Sequence, residues 1–165
     1  MQIVSTCICS YFSPMSDGSL GSAATTPPSA CTGVRIRKVA RLVSHIFDQH
    51  LEPHGLTVTQ FGLLGQLKSD DGVGIGMLAE RMVMDPTSLT RTLRPLERQG
   101  FVRLAHDPRD RRHRRLHLTP EGRAVYEAAR PAWLAGQRQI DQALGGTDAT
   151  TLNALLDRTI ERLAR

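Results

Sequence analysis

The sequence predicts a mainly α-helical fold with a small β wing. From position 34 onward, apolar residues recur at helical spacing along most of the chain. After Gly100 this spacing gives way to the alternation of two short strands, and it returns beyond them. Residues that favour helix starts stand where the helical patterns begin, most clearly at Asp85-Pro86 and Thr119-Pro120. The predicted order is therefore four helices, a hairpin and two further helices.

Two helices open the predicted fold. The first carries apolar residues at i, i+3 and i+4 spacing over residues 34–51 and ends before Pro53. The second begins at Thr57, because the segment from Thr57 to Gln60 offers a capping box. Its apolar side chains continue to Leu67, and a polar turn then ends it.

A short third helix and a clearly marked fourth helix follow. The third spans about 75–82, begins at glycines rather than at a strong cap, and has Met77 among its inward-facing residues. The fourth spans 86–99 and begins after the N-cap residue Asp85. Pro95 removes one backbone hydrogen bond from this helix and should bend its last turn.

Two strands and two long helices complete the predicted fold. Alternating residues predict strands over 101–104 and 114–118, and a polar loop at 106–113 joins them. A long helix should run from 120 to about 144, and a last helix from 147 or 148 to the end of the chain.

Positive charge is concentrated in one part of the chain. The whole sequence has 21 Lys and Arg against 16 Asp and Glu, a net charge of +5. Residues 81–115 contain ten arginines and four acidic residues, a net charge of +6, so the remaining residues sum to −1. A general preference for Arg over Lys would spread arginine evenly. A basic patch on a near-neutral body instead favours a polyanionic partner, most often nucleic acid.

Two short helices joined by a tight turn and followed by a hairpin predict a winged helix-turn-helix domain. In this arrangement the second helix enters the major groove of double-stranded DNA, and the wing reaches an adjacent minor groove. A solvated loop with local ion pairs would not account for five arginines within residues 109–115. The predicted DNA-binding residues are Thr87, Ser88, Thr90, Arg91 and Arg94 of the helix, and Arg109, Arg111 and Arg112 of the wing.

Several segments also resemble the motifs of MarR-type (multiple antibiotic resistance) transcriptional regulators. The resemblance covers residues 33–163 in the family's order and spacing. The sequence departs from the family's pattern at Pro95 and at the glycines that begin the third helix. The matching segments are 56–61, 78–81, 85–91, 96–102, 107–112 and 118–122.

Three cysteines are too few for a disulfide framework, so we expect a reduced, cytoplasmic setting. The resemblance implies a sequence-specific DNA-binding regulator. It implies a repressor that acts as an obligate homodimer on a palindromic promoter site and is released by a small aromatic or lipophilic effector. A domain over 33–165 would then hold a winged core at 57–118 between dimerisation helices at 33–53 and 119–165. Independently, the helices at both ends carry apolar stripes that a small winged domain would leave exposed.

The resemblance also suggests where an effector would bind. Its cleft would lie between the first, second and fifth helices, where His45 and Trp133 are the conspicuous side chains. A lone histidine at such a position is more often a core or surface residue than a ligand contact.

Residues 1–32 predict a disordered arm, and Met15 is an alternative start that would exclude Cys7 and Cys9. Cys31 then leaves a thiol-based redox-sensing regulator as an alternative function, because a helix N-terminus lowers a thiol pKa. An inert thiol in a flexible arm is the simpler interpretation.

The sequence disfavours other classes of protein. It lacks a phosphate-binding glycine loop and complete metal-ligand motifs, so we expect no enzyme, no cofactor and no metal site. No apolar run is long enough for a membrane span. A winged-helix protein–protein interaction module remains a further alternative, although such a module would not require this density of arginine.

Overall fold

The helices and strands follow the predicted order. The computed structural model describes residues 31–106 and 114–163. The packing described below lies within the unit that begins at residue 36. In chain order the elements are α1 (Thr32–Leu51), α2 (Val58–Ser69), β1 (Val73–Gly74), α3 (Ile75–Arg81), α4 (Pro86–Arg98), β2 (Val102–His106), β3 (Arg114–Leu118), α5 (Pro120–Leu144) and α6 (Gly146–Leu163). The prediction of a mainly helical fold with a small β wing is confirmed.

Side-chain caps fix the starts of the helices that frame the winged region. At α2, Thr57 and Gln60 form the predicted capping box, with the Gln60 amide oxygen accepting from the Thr57 N–H at 2.9 Å. The Thr119 hydroxyl accepts from the Gly122 N–H at 2.9 Å and so begins α5. These bonds satisfy N–H groups that have no partner inside the helix.

The three-stranded sheet is antiparallel, with strand order β1-β3-β2. Val102 pairs with Leu118, and Leu104 pairs with Leu116, so apolar residues of β2 and β3 share the face that meets the helices. The first strand, β1, was not predicted. Its two residues, Val73 and Gly74, are too few to show an alternating pattern.

The core lies around α2. Three of its leucines, Leu63, Leu64 and Leu67, have no exposed surface, and they pack in one cluster with buried residues of α3, α4 and the sheet. Aromatic rings extend this cluster toward α5, where Phe61 stacks on Tyr126 with ring centroids 4.7 Å apart. The core therefore holds the helix-turn-helix against the long helix that follows it.

Several local predictions need correction. Met77 is 53% exposed, because the neighbouring Leu78 and Ala79 occupy the inward positions of the short helix α3. The strand predicted over 101–104 runs from Val102 to His106, because Ala105 and His106 also pair with residues of β3, and His106 therefore does not belong to the loop as predicted. The last helix begins at Gly146, one residue before the predicted start.

Prolines inside two helices do not end them. Pro95 lies within α4 and Pro131 within α5, and each helix continues to the predicted region of its end. Among the described residues, no helix combines the length and apolar character that a membrane span requires.

Candidate nucleic-acid interface

The fourth helix has two chemically distinct faces. Leu89, Leu93 and Leu96 are at most 5% exposed and attach the helix to the core. The side chains predicted to reach DNA lie on the exposed part of the helix surface; they are Thr87, Ser88, Thr90, Arg91 and Arg94. The helix therefore presents hydroxyl and guanidinium groups to solvent while its apolar side is held by the domain.

The N-terminus of α4 is fixed by Asp85. Its carboxylate accepts a hydrogen bond from the Ser88 N–H at 2.9 Å, and Pro86 occupies the first turn. Hydrogen bonds from the Ser88 side chain and backbone lower the pKa of Asp85 below its ordinary value. The carboxylate therefore stays ionised at neutral pH, as a cap at the positive end of a helix dipole should.

The hydroxyl of Thr90 is partly used within the helix. It donates to the Pro86 carbonyl at 2.7 Å. The side chain therefore presents its methyl group and a hydroxyl lone pair, and a methyl group can contact thymine in the major groove. Arg91 and Arg94 keep planar donor groups suited to guanine edges or to phosphates.

The turn between α3 and α4 holds a backbone conformation that is unusual for its residue. Val83 has a φ of 49° and is 80% exposed. Hydrogen bonds from the Val83 N–H to Glu80 and from the Met84 N–H to Ala79 close the end of α3. A β-branched residue is strained in the left-handed region, so these bonds hold the tight turn against a local cost.

Basic residues also lie at the base of the wing. Arg103 and Arg115 lie on the sheet face opposite the apolar pairs, and both are exposed. The alternation of apolar and polar residues within each strand could have placed them on this face, but neither Arg103 nor Arg115 was among the predicted DNA-binding residues. The predicted wing residues Arg109, Arg111 and Arg112 lie outside the described residues.

The two predicted effector residues lie in different surroundings. His45 is exposed and lines a cavity of about 370 Å³ at the corner between α1 and α2, together with the carboxylates of Asp48 and Glu52. Trp133 is half-buried and stacks on Phe61 with ring centroids 5.7 Å apart, and it is not among that cavity's lining residues. The structure therefore does not bring His45 and Trp133 together in this cavity.

The thiol of Cys31 is exposed and forms no disulfide. Backbone hydrogen bonds from Val34, and then from Gly33, lower its pKa below the ordinary value for a cysteine. Cys7 and Cys9 lie outside the described residues. In the part of the chain that the structure describes, no group of three or more His, Cys, Asp or Glu side chains is arranged to hold a metal ion.

Two helices expose apolar surface. The first helix leaves apolar side chains uncovered between residues 36 and 42, and α6 does so over its last three turns. These residues are Ile36, Val39 and Leu42 of α1, and Leu155, Leu156, Ile160 and Leu163 of α6. We call this set of exposed side chains the terminal apolar surface, and large exposed apolar surfaces mark interaction sites.

Comparison with known proteins places this geometry in context. Residues 56–113 match a sequence model of the MarR family. The transcriptional activatory protein BadR of Rhodopseudomonas palustris is 32% identical over 96 residues, which cover 56% of this chain and 55% of BadR. The match therefore spans about half the length of BadR.

Two further relatives match over more of their length. YybA of Bacillus subtilis, an uncharacterized HTH-type transcriptional regulator, is 28% identical over 133 residues, which cover 79% of this chain and 87% of YybA. The transcriptional regulator MosR of M. tuberculosis, solved in complex with DNA, is 32% identical with a TM-score of 0.69. That similarity covers 81% of this chain and 93% of the MosR chain.

Proposed function

The chain belongs to the MarR family, and from that premise we propose that it is a transcriptional regulator that reads double-stranded DNA by sequence. The observation that carries the proposal is the two-faced helix α4, whose leucines are buried while its hydroxyl and arginine side chains are exposed. The structure of MosR with DNA, at 32% identity, supports the same partner. The proposal includes no enzymatic step, and it assigns the regulator to the cytoplasm.

Within this proposal, α4 lies in the major groove. Thr87, Ser88 and Thr90 would meet bases or phosphates near the N-terminus of the helix, and Arg91 and Arg94 would reach guanine edges or phosphates. Arg109, Arg111 and Arg112 of the wing would enter the neighbouring minor groove, where the negative potential attracts guanidinium groups.

We further propose that the protein is a homodimer that binds a palindromic promoter site. The support is the terminal apolar surface, since side chains such as Leu42 at 67% and Leu163 at 80% exposure are costly to leave in water. Two-fold symmetry would separate the two recognition helices by about 34 Å, one turn of DNA, or by a multiple of it. In this arrangement, residues 33–53 and 119–165 serve dimerisation, and 57–118 form the winged core.

As the regulatory mode we propose repression that a small aromatic or lipophilic effector releases. His45 and Trp133 stay the proposed contacts, and the support for an aromatic effector is the aromatic character of the region in which Trp133 stacks on Phe61. The cavity beside His45 carries two carboxylates, Asp48 and Glu52, which disfavour an anionic effector there. Neutral aromatic compounds therefore belong in the effector screen beside aromatic acids.

Redox sensing through Cys31 is the second candidate, because the thiol is exposed and its pKa is lowered. Peroxide treatment would then change DNA binding by the wild-type protein but not by Cys31→Ser. An equal response of the two proteins would remove this candidate.

Selection of bound duplexes from a random DNA library tests the proposal. We expect enrichment of one inverted repeat whose half-sites are spaced by about one helical turn or a multiple of it. Arg91→Ala should enrich a repeat with a relaxed preference at one base pair of each half-site, whereas Arg130→Ala, an exposed arginine on α5, should select the same repeat as the wild type. Recovery of unrelated sequences by the wild-type protein would contradict sequence-specific reading, and recovery of no DNA above background would favour an interaction module without DNA binding.

A further inference from the structure

The turn between α2 and β1 contacts the last strand of the wing through Asp71. One carboxylate oxygen of Asp71 accepts a hydrogen bond from the Leu118 N–H at 3.0 Å. The other lies 3.2 Å from Nδ1 of His117. One side chain therefore contacts two consecutive residues of β3, 46 and 47 positions further along the chain.

The adjacent residue, Gly72, continues this contact along the strand. Its N–H donates to the Leu116 carbonyl at 2.9 Å, and its own carbonyl accepts from the Arg115 guanidinium at 2.8 Å. Residues 71 and 72 thus bond to four consecutive residues of β3. We call these two residues the wing anchor.

The wing anchor requires a glycine at its second position. Gly72 has a φ of +79°, which favours glycine, and a Cβ there would lie 3.1 Å from Cε1 of the His117 ring. The imidazole therefore packs directly over the Gly72 backbone while its Nδ1 faces Asp71. This packing limits where His117 can lie.

Charge strengthens the contact between Asp71 and the strand. Burial alone would raise the pKa of Asp71, but the hydrogen bonds from His117 and Leu118 outweigh it and hold the pKa below its ordinary value. Asp71 is therefore an anion at neutral pH, and hydrogen bonds to charged groups are stronger than neutral ones. The His117 side chain is 22% exposed and the Asp71 side chain is 53% exposed, so solvent screens this contact in part.

The position of β3 matters because the arginine-rich wing loop leads directly into it. The strand begins at Arg114, and its pairing with β1 covers only two residues, Leu116 and Arg115. On the edge of β3 that faces away from β2, the hydrogen bonds of the wing anchor therefore provide much of the attachment of the strand to the helical body.

We propose that Asp71 is a positioning residue for DNA binding, which sets the direction of the wing through His117 and Leu118 without touching DNA itself. This inference rests on the proposed function, since it assumes that the wing contacts DNA beside the site read by α4. It separates two roles within the basic region: α4 and the wing arginines supply contacts, and the wing anchor supplies their geometry.

Hydroxyl-radical footprinting of the full chain on its selected duplex tests the inference. The protections lost by Arg111→Ala define those made by the wing. Asp71→Asn should lose the same flanking protections and keep the central protections made by α4, with an affinity lowered by about tenfold, because the contacts of the displaced wing are lost while those of α4 remain. His117→Gln should reproduce this pattern more weakly, and it provides a second variant should Asp71→Asn fold poorly.

Asp70→Asn is the matched control. It removes the same charge from the neighbouring residue, whose carboxylate pairs with Arg81 on the surface at 2.7 Å, and it should keep the complete footprint. The inference is overturned if Asp71→Asn and His117→Gln keep the flanking protections at wild-type affinity. It is also overturned if all protections weaken together in step with a lower melting temperature. A wild-type protein without any footprint would instead contradict the proposed function.

Discussion

Gly122 lies at the close contact between the first turn of α5 and Phe101, the residue that precedes β2. A Cβ at this position would lie 2.0 Å from the Phe101 carbonyl oxygen and 2.9 Å from a methyl group of Leu118. The Phe101 carbonyl also accepts from the Thr119 N–H at 3.1 Å, so it cannot move without loss of a bond between the wing and α5. Only glycine therefore fits here.

We predict that Gly122→Ala lowers the free energy of unfolding by about 3 kcal/mol, because a backbone carbonyl must shift to make room. Gly76→Ala in α3 is the matched control, since nothing lies within 4 Å of the added carbon. It should leave stability unchanged or raise it by up to about 1 kcal/mol through helix propensity. Urea denaturation measures the free energy of unfolding of both variants. Equal denaturation midpoints for Gly122→Ala and Gly76→Ala would contradict the close contact between Gly122 and the Phe101 carbonyl.

The contact of Asp71 predicts a pH dependence of stability. Because the pKa of Asp71 is lowered in the folded protein, its stabilisation is complete above the ordinary pKa of about 4 and is lost as the pH falls through the folded value. Wild type should therefore melt at a higher temperature than Asp71→Asn at pH 7, and this difference should disappear in strong acid. If the difference in melting temperature between the two proteins were constant over the whole pH range, the ionisation of Asp71 would not contribute to stability.

Among the elements, the sequence was most informative where one residue fixes a local geometry. Asp85 and Thr119 cap helices as predicted, because capping depends only on neighbours along the chain. The strand β1 was missed because its pairing depends on β3, about 40 residues away. The wing anchor was missed for the same reason, since nothing near Asp71 in the sequence indicates its contact with His117. The roles of Arg109, Arg111 and Arg112 stay predictions.

The two ends of α4 should differ in their contribution to DNA binding. Arg91 lies in the half of the helix proposed to enter the major groove, whereas Arg98 is its last residue, and both are exposed. Arg91→Ala should weaken binding to the selected duplex by about 1–3 kcal/mol and relax the preference at one base pair. Arg98→Ala should have a smaller effect that is the same for every sequence. Binding assays on duplexes with single-base changes measure this difference. An equal loss of specificity in Arg91→Ala and Arg98→Ala would contradict the proposed orientation of α4.

At the scale of the whole molecule, the net charge of +5 results from two different regions. The winged region carries the excess of arginine, and the remaining helices are near neutral and expose apolar side chains. This division suits a dimer in which the terminal helices associate and the charged surfaces face the same DNA.

We predict that Ile160→Glu in α6 converts the dimer to a monomer, because a charge would be placed in the terminal apolar surface. Ile160 is 57% exposed in the single chain. Thr151→Glu is the control, since residue 151 is exposed and lies nine positions earlier, half a turn around the helix from residue 160. Analytical ultracentrifugation should show a dimer for wild type and Thr151→Glu. A monomeric wild-type protein at micromolar concentration would contradict the assembly.

The central claim is that the exposed face of α4 reads DNA within a basic region. Fluorescence anisotropy with the selected duplex and a scrambled duplex, over a series of salt concentrations, tests it most directly. The wild-type protein should prefer the selected duplex and lose affinity steeply as salt rises, because its arginines release counterions from the phosphates. The double variant Arg91→Ala and Arg94→Ala should lose the preference and show a shallower salt dependence, while Arg138→Ala on α5 should behave as wild type. Equal, salt-insensitive binding of both duplexes by the wild-type protein would contradict the claim.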